Sequence, residues 1–188
     1  MVSVVIDMFK GKDKKNILND LVMEYGDTVL QLAFFYLHDK GLAEDAFQEV
    51  FIKVYNHLEN FRGDSSLKTW ICKITANVCR DRVRSWSFRN LLYYGDDTVY
   101  STIDNHYADD SDLHGFDREQ VLEAILNLPV PLREVIVLYY YKDFDTKEIA
   151  SILKISEGTV RSRMHRAREK LKKTLEEGGV QFEAKASR

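Results

Sequence analysis

Between residues 41 and 58 the apolar positions Ala43, Phe47, Val50, Phe51, Val54 and Leu58 recur every three or four residues. That spacing predicts one buried face of an α-helix. The other side carries Asp45, Gln48 and Glu49 and, among these polar groups, Ile52. A single apolar residue on an exposed face is commonplace, but one set among acids also suits a protein contact.

The next helical pattern follows the loop-like "RGDSS" and begins at about Leu67. At about 100° per residue, Leu67, Trp70, Ile71, Ile74 and Val78 fall on one arc, which Cys72, Ala76, Cys79 and Val83 extend. One polar strip is left, made by Lys73, Asn77, Arg80 and Arg84. A nearly buried helix with a single basic strip can lie along a nucleic-acid backbone. Trp70 could stack on a base, but its place on the apolar arc assigns it to the core.

The third pattern is "FDTKEIASILKISEGTVRSRMHRAREKLKK", residues 144–173. Asp145 is placed to cap a helix, Glu148 completes a capping box, and Phe144 can staple onto Ile149. Ile149, Ile152 and Leu153 form its apolar face. "KIS" reads as a three-residue turn, with Ser156 capping the helix that follows. Lys154 holds the turn position where glycine or asparagine is easiest; a left-handed lysine there costs about 1 kcal/mol. Val160, Met164, Ala167, Leu171 and Leu175 form the buried stripe of the second helix, while Arg161, Ser162, His165, Arg166 and Arg168 project elsewhere. This is a helix-turn-helix, whose second helix enters the major groove. Arginine there can donate twice to guanine. Lys170, Lys172 and Lys173, farther along, suit phosphates or solvent.

Charge reinforces the pattern. The net charge is only −3, yet residues 62–89 and 156–173 each carry seven Lys or Arg against two acids. Residues 93–117 between them hold seven Asp and no basic residue, without helical period. Two basic modules on an acidic, flexible tether follow; the acid can hold the tether off a polyanion that both modules bind, and a plain solvated loop accounts for it equally well. The scarcity of turn chemistry, two prolines and nine glycines, makes the expected fold all-α. The expected division is an N-terminal helical domain over residues 1–90, a linker over 91–116, a helix-turn-helix domain over 117–177 and a disordered tail over 178–188. The opening "MVSVVIDMF" is too short and lacks the basic leader of a signal peptide, so a cytoplasmic location is expected. Cys72 and Cys79 match no metal or redox spacing and read as reduced, half-buried thiols.

"AEDAFQEVFIKVY", "FRGDSSLKTWICKITANVCRDRVR" and "FDTKEIASILKISEGTVRSRMHRAREKL" together, in this order and spacing, resemble the signatures of bacterial sigma factors of the extracytoplasmic-function class, over roughly residues 16–177. The resemblance implies that Asp45, Gln48 and Glu49 grip the clamp helices of RNA polymerase, with Ile52 on the same face. It implies that Arg62, Asp64, Ser65 and Lys68 belong to a loop capturing a flipped base. Lys73, Asn77, Arg80, Asp81 and Arg84 would lie beside the promoter's melting element. Arg161, Ser162, His165, Arg166 and Arg168 would read the upstream element. Core RNA polymerase and promoter DNA are the implied partners, together with an anti-sigma factor, often membrane-anchored. No phosphate loop, metal cluster or nucleophile–base motif argues for an enzyme, a cofactor, a metal or a small-molecule substrate. A sensor-regulator would need a receiver or ligand-binding half, typically with strands, and an adaptor would leave Arg161 and Arg166 unexplained.

Overall fold

The computed structural model describes residues 13–92 and 118–178; the acidic tether and the tail fall largely outside them. Every regular element among the described residues is helical. Helices α1 (Lys14–Leu37), α2 (Lys40–His57, ending in the 3₁₀ turn Leu58–Asn60) and α3 (Leu67–Leu92) pack mutually. A second group comprises α4 (Arg118–Leu126), α5 (Val130–Ile136) with a π-helical turn over Val137–Tyr141, α6 (Thr146–Leu153) and α7 (Glu157–Glu177).

Local chemistry sets the boundaries. Between α1 and α2 the chain turns within two residues: His38 is left-handed (φ 56°) with its N–H on the Phe34 carbonyl, and the Asp39 carboxylate caps α2 through the Leu42 N–H at 2.7 Å. Asp145 and Glu148 form the expected reciprocal capping box, with bonds of 2.7 and 3.1 Å. Lys154 is indeed left-handed (φ 55°), and Ser156 caps α7. Ser66, which the sequence reading passed over, accepts from the Thr69 N–H at 3.1 Å and accounts for the start of α3 at Leu67.

The amphipathic faces go where their periods send them. Ala43, Val50, Phe51, Val54 and Leu58 are buried beneath α2, joined by Ala46, and Phe47 is half-buried. On α3, Leu67, Ile71, Ala76 and Val78 are buried, and half-buried Trp70 packs its ring on Phe61 at 5.1 Å. Cys72 and Cys79 are free and fully buried rather than half-buried, and burial pushes both thiols up to about 12.

The two helical groups also dock on each other, with α6 against α3 and α5 against α1. One apolar core runs through both. Arg133, Glu134 and Lys142 are the buried charged residues among those described, and each bonds to the first group: Arg133 to the Phe35 carbonyl, Glu134 to Tyr36 and Lys142 to Gln31.

Candidate DNA and polymerase interfaces

The capping of α7 by Ser156 fixes which side chains face outward. Val160, Met164 and Ala167 anchor the helix, and Arg161, Ser162, His165, Arg166 and Arg168 are all exposed. Arg161 pairs with Glu157 one turn earlier at 3.1 Å, a contact worth little on an open surface. Ser162 donates to the Thr159 carbonyl at 3.0 Å. His165 and Arg166 flank an open cleft whose floor is Pro129, Pro131 and Leu132. Arg168 donates through Nε to the Tyr140 hydroxyl at 3.1 Å, and its guanidinium lies 5.7 Å from that ring's centre. This aromatic support does not follow from the helical period of α7. Its signal was the run Tyr139–Tyr141 at a break in the helical period, where the chain forms its π turn.

The outer face of α2 presents Asp45, Gln48 and Ile52 to solvent, and Ile52 keeps 61% of its surface exposed. Leu18, Phe51 and Tyr55 extend this face into a shallow apolar groove. Glu49 is already engaged: Lys53 and Arg82 each reach its carboxylate at 2.9 Å. The Lys53 hydrogen bond is the main cause holding that carboxyl below its usual range, with Arg82 acting in the same sense. Arg82, absent from the sequence-predicted set, also bonds to the Asp45 carbonyl at 3.3 Å and so braces α2 against α3.

The loop before α3 turns at Gly63, whose φ of 74° favours a residue without Cβ. Arg62 and Asp64 are exposed there, and Ser65 is half-buried. On α3 itself, Asp81 and Arg84 are exposed, while Lys73 and Asn77 are half-buried. Two cations of this set are drawn to the second helical group. Lys68 donates to the Lys142 carbonyl at 2.6 Å and lies 4.9 Å from the centre of the Phe144 ring. Arg80 meets Glu134 through Nε at 2.9 Å and Nη2 at 2.8 Å, and donates through Nη1 to the Leu153 carbonyl at 3.2 Å. The strip expected to be open on α3 is thus partly covered, because α6 packs against that helix.

Glu134 is the hub of the covered zone. One carboxylate oxygen receives Tyr36 and Arg80, and the other receives Arg163 of α7 at 2.9 Å. Burial, chiefly, and the adjoining Glu134 push the Tyr36 hydroxyl well above its ordinary range. Nearby, Arg133 donates to His38 Nε2. Burial first, then the Arg133 charge, push the His38 ring down to about 4, with a hydrogen bond at Phe35 acting the other way.

His38 makes the docked arrangement acid-sensitive. Its folded pKa lies below the ordinary 6.5, so between these values the unfolded chain binds the extra proton. Its contribution is complete above about 6.5 and is lost as pH falls towards about 4. Allowing for the water that reaches part of the ring, we expect stability to fall by on the order of 1 kcal/mol between about pH 7.5 and 4.5 through this group. His38→Asn, which tolerates the left-handed backbone, should remove that part of the slope in urea titrations at the two pH values. Parallel losses in both proteins would assign the acid response to other groups.

No group of three or more metal-ligating side chains occurs among the described residues, and none of their helices is long and apolar enough to cross a membrane. Residues 21–88 match the family model for sigma-70 region 2, and residues 118–171 match that for sigma-70 region 4. The ECF RNA polymerase sigma factor SigW of Bacillus subtilis is 34% identical over 174 residues, covering 87% of this chain and 91% of SigW. SigL of Mycobacterium tuberculosis, also an ECF RNA polymerase sigma factor, is 31% identical and covers 87% of this chain and 92% of its own. Among solved structures, the sigma factor RpoE from Bartonella quintana, crystallised with the anti-sigma factor NepR, shares the fold. It superposes with a TM-score of 0.70 at 23% identity, covering 86% of this chain and 98% of RpoE. Two helical groups joined in this order, a capped helix-turn-helix and these relationships over most of the chain have one reading: the protein belongs to the ECF sigma factors, the regulatory subunits that direct RNA polymerase to initiate at specific promoters.

Proposed function

We propose that the protein works by binding alone, with no catalysis, cofactor, metal or small-molecule substrate of its own. In the cytoplasm, residues 1–90 would act as the domain that docks on polymerase and engages the melting element. Residues 117–177 would read the upstream element, and residues 91–116 would link the two. Asp45, Gln48, Glu49 and Ile52 form the polymerase contact in this reading. Arg62, Asp64, Ser65 and Lys68, with Lys73, Asn77, Arg80, Asp81 and Arg84, hold the melted strand. Unstacking a base costs a few kcal/mol, which these backbone contacts must offset. RpoE was crystallised with an anti-sigma factor, and a dedicated anti-sigma factor, membrane-anchored or not, is the proposed regulator of this protein too.

The observation that carries the reading is the outward basic face of α7, ordered by the Ser156 cap and backed by a buried stripe. Run-off transcription with core polymerase on a genomic library, followed by mapping of start sites, would supply the promoters. On single-base variants of these, Arg166→Ala should cost about 1–3 kcal/mol at one upstream base pair. Arg84→Ala should weaken all promoters alike and flatten the salt dependence. A uniform loss with Arg166→Ala would show that this residue does not read a base.

A further inference from the structure

We propose that Tyr139 and Tyr140 hold Arg168 as a clamp for one backbone phosphate at the edge of the upstream element, so that Arg168 grips the duplex without reading a base. This rests on the reading of α7 as the upstream-element helix and narrows the part that Arg168 plays in it. At about 100° per residue, Arg161, His165 and Arg168 share one face of α7. Arg168 stands two turns beyond Arg161, about 10 Å farther from the helix start. In a helix-turn-helix the residues near that start reach base edges. Contacts to phosphates instead fix the register of the protein on the duplex and carry no sequence information themselves.

Two elements build the cluster. The π turn over Val137–Tyr141 brings Tyr139 and Tyr140 together edge-on, with ring centres 5.0 Å apart. Neither ring belongs to the buried core, and they keep 37% and 54% of their surface exposed. Arg168 of α7 reaches across to both. Its Nε donates to the Tyr140 hydroxyl at 3.1 Å, and its guanidinium lies 5.7 Å from the centre of the Tyr140 ring and 6.0 Å from that of Tyr139. Arg161 and Arg163 each pair with a glutamate, whereas among the described residues no carboxylate pairs with Arg168. Its charge is therefore left for an anion from outside the chain. The Nε bond and the rings hold the guanidinium and leave its two Nη groups as a fork, which suits the oxygens of one phosphate. A side chain held in advance loses less freedom on binding. Reading guanine would require Arg168 to leave both rings and extend to O6 and N7, giving up contacts that phosphate binding keeps.

The test uses holoenzyme assembled from core polymerase and the full chain, bound to promoter duplexes at low temperature, before melting. Each duplex carries a neutral methylphosphonate in place of one upstream phosphate. With the unaltered protein, one such replacement beside the upstream element should weaken binding about tenfold, the loss of one charge-assisted contact. Arg168→Ala should bind every single-base promoter variant about tenfold more weakly and become indifferent to that replacement. A fourfold rise in salt should weaken this variant about 3.5-fold less than the unaltered protein, the share of one phosphate. Tyr140→Phe keeps the ring and the Arg168 charge but removes the acceptor for Nε. It should cost about threefold, with the salt dependence unchanged. In the Arg168→Ala background it should add nothing, because Tyr140 acts through Arg168. Tyr139→Phe, which keeps the ring that faces the guanidinium, should bind like the unaltered protein.

An Arg168→Ala loss confined to one base pair, an Arg168→Ala protein still sensitive to the same methylphosphonate, or an equal cost of Tyr140→Phe with and without Arg168 would each overturn the clamp. So would a loss of affinity for core polymerase itself in Arg168→Ala, which would give the cluster a protein partner. Arg166→Ala in the same assay separates the underlying reading. If it loses affinity at one upstream base pair while Arg168→Ala binds normally, α7 reads DNA and only the clamp is wrong. If neither variant changes binding to the upstream element, the placement of α7 on DNA fails.

Discussion

Replacing Glu134 with leucine should destabilise the protein by about 3–5 kcal/mol, the scale seen when one partner of a buried ion pair is removed. The carboxylate is only 3% exposed and lies between Arg80 and Arg163, at 2.8 and 2.9 Å. Without it, two guanidinium groups face each other with no intervening charge, and the Tyr36 hydroxyl loses its acceptor. Leucine fills much of the volume, so the loss reports electrostatics and hydrogen bonding more than a cavity. Chemical denaturation of Glu134→Leu beside Arg80→Leu and the double variant distinguishes the two sides of the hub. Coupling between the two changes should exceed additivity, because they share a contact. A loss below about 1 kcal/mol for Glu134→Leu would place this carboxylate among ordinary surface ion pairs.

Gln48→Ala combined with Ile52→Glu should weaken binding to core polymerase about 100-fold, roughly 3 kcal/mol. Ile52 is the apolar centre of the exposed α2 face and borders the groove formed by Leu18, Phe51 and Tyr55. A carboxylate at that position would have to be desolvated against an apolar partner surface. The fold should be spared, since neither side chain supports the core and exposed substitutions usually change stability by less than about 0.5 kcal/mol. Charge reversal at Glu49 is a poorer probe. A lysine there would face Lys53 and Arg82, which now hold the carboxylate, and would loosen α2 from α3 as well. Wild-type affinity in the Gln48→Ala, Ile52→Glu protein would remove this face from polymerase binding.

Where the determinants are local, sequence and structure agree closely. The Asp145–Glu148 box, the Ser156 cap and the left-handed Lys154 all depend on groups within a few residues of one another. The buried stripe Val160, Met164 and Ala167 and the exposed residues between them follow from the helical period alone. Trp70 sits against Phe61 because its arc faces the core. By contrast, Ser66 has the side chain of a cap but sits in the loop-like run "RGDSS", and only the bond from the Thr69 N–H identifies it as one.

The helices, their caps, their apolar faces and the signatures that relate the chain to sigma factors are legible in the order of residues, because backbone hydrogen bonding and side-chain period are short-range. How the charges are used depends instead on the way the helices pack. Arg80 and Arg84 share one polar strip and look equivalent in a helical projection, yet Arg84 stays in solvent while Arg80 reaches a carboxylate 54 positions away. Likewise Asp45 and Glu49 read alike as acids on one helix face, but Arg82 and Lys53 hold only Glu49 by its carboxylate. Charge–charge energy depends on distance and on the water excluded between the groups, and helix–helix packing brings those distances about between residues that no periodicity connects.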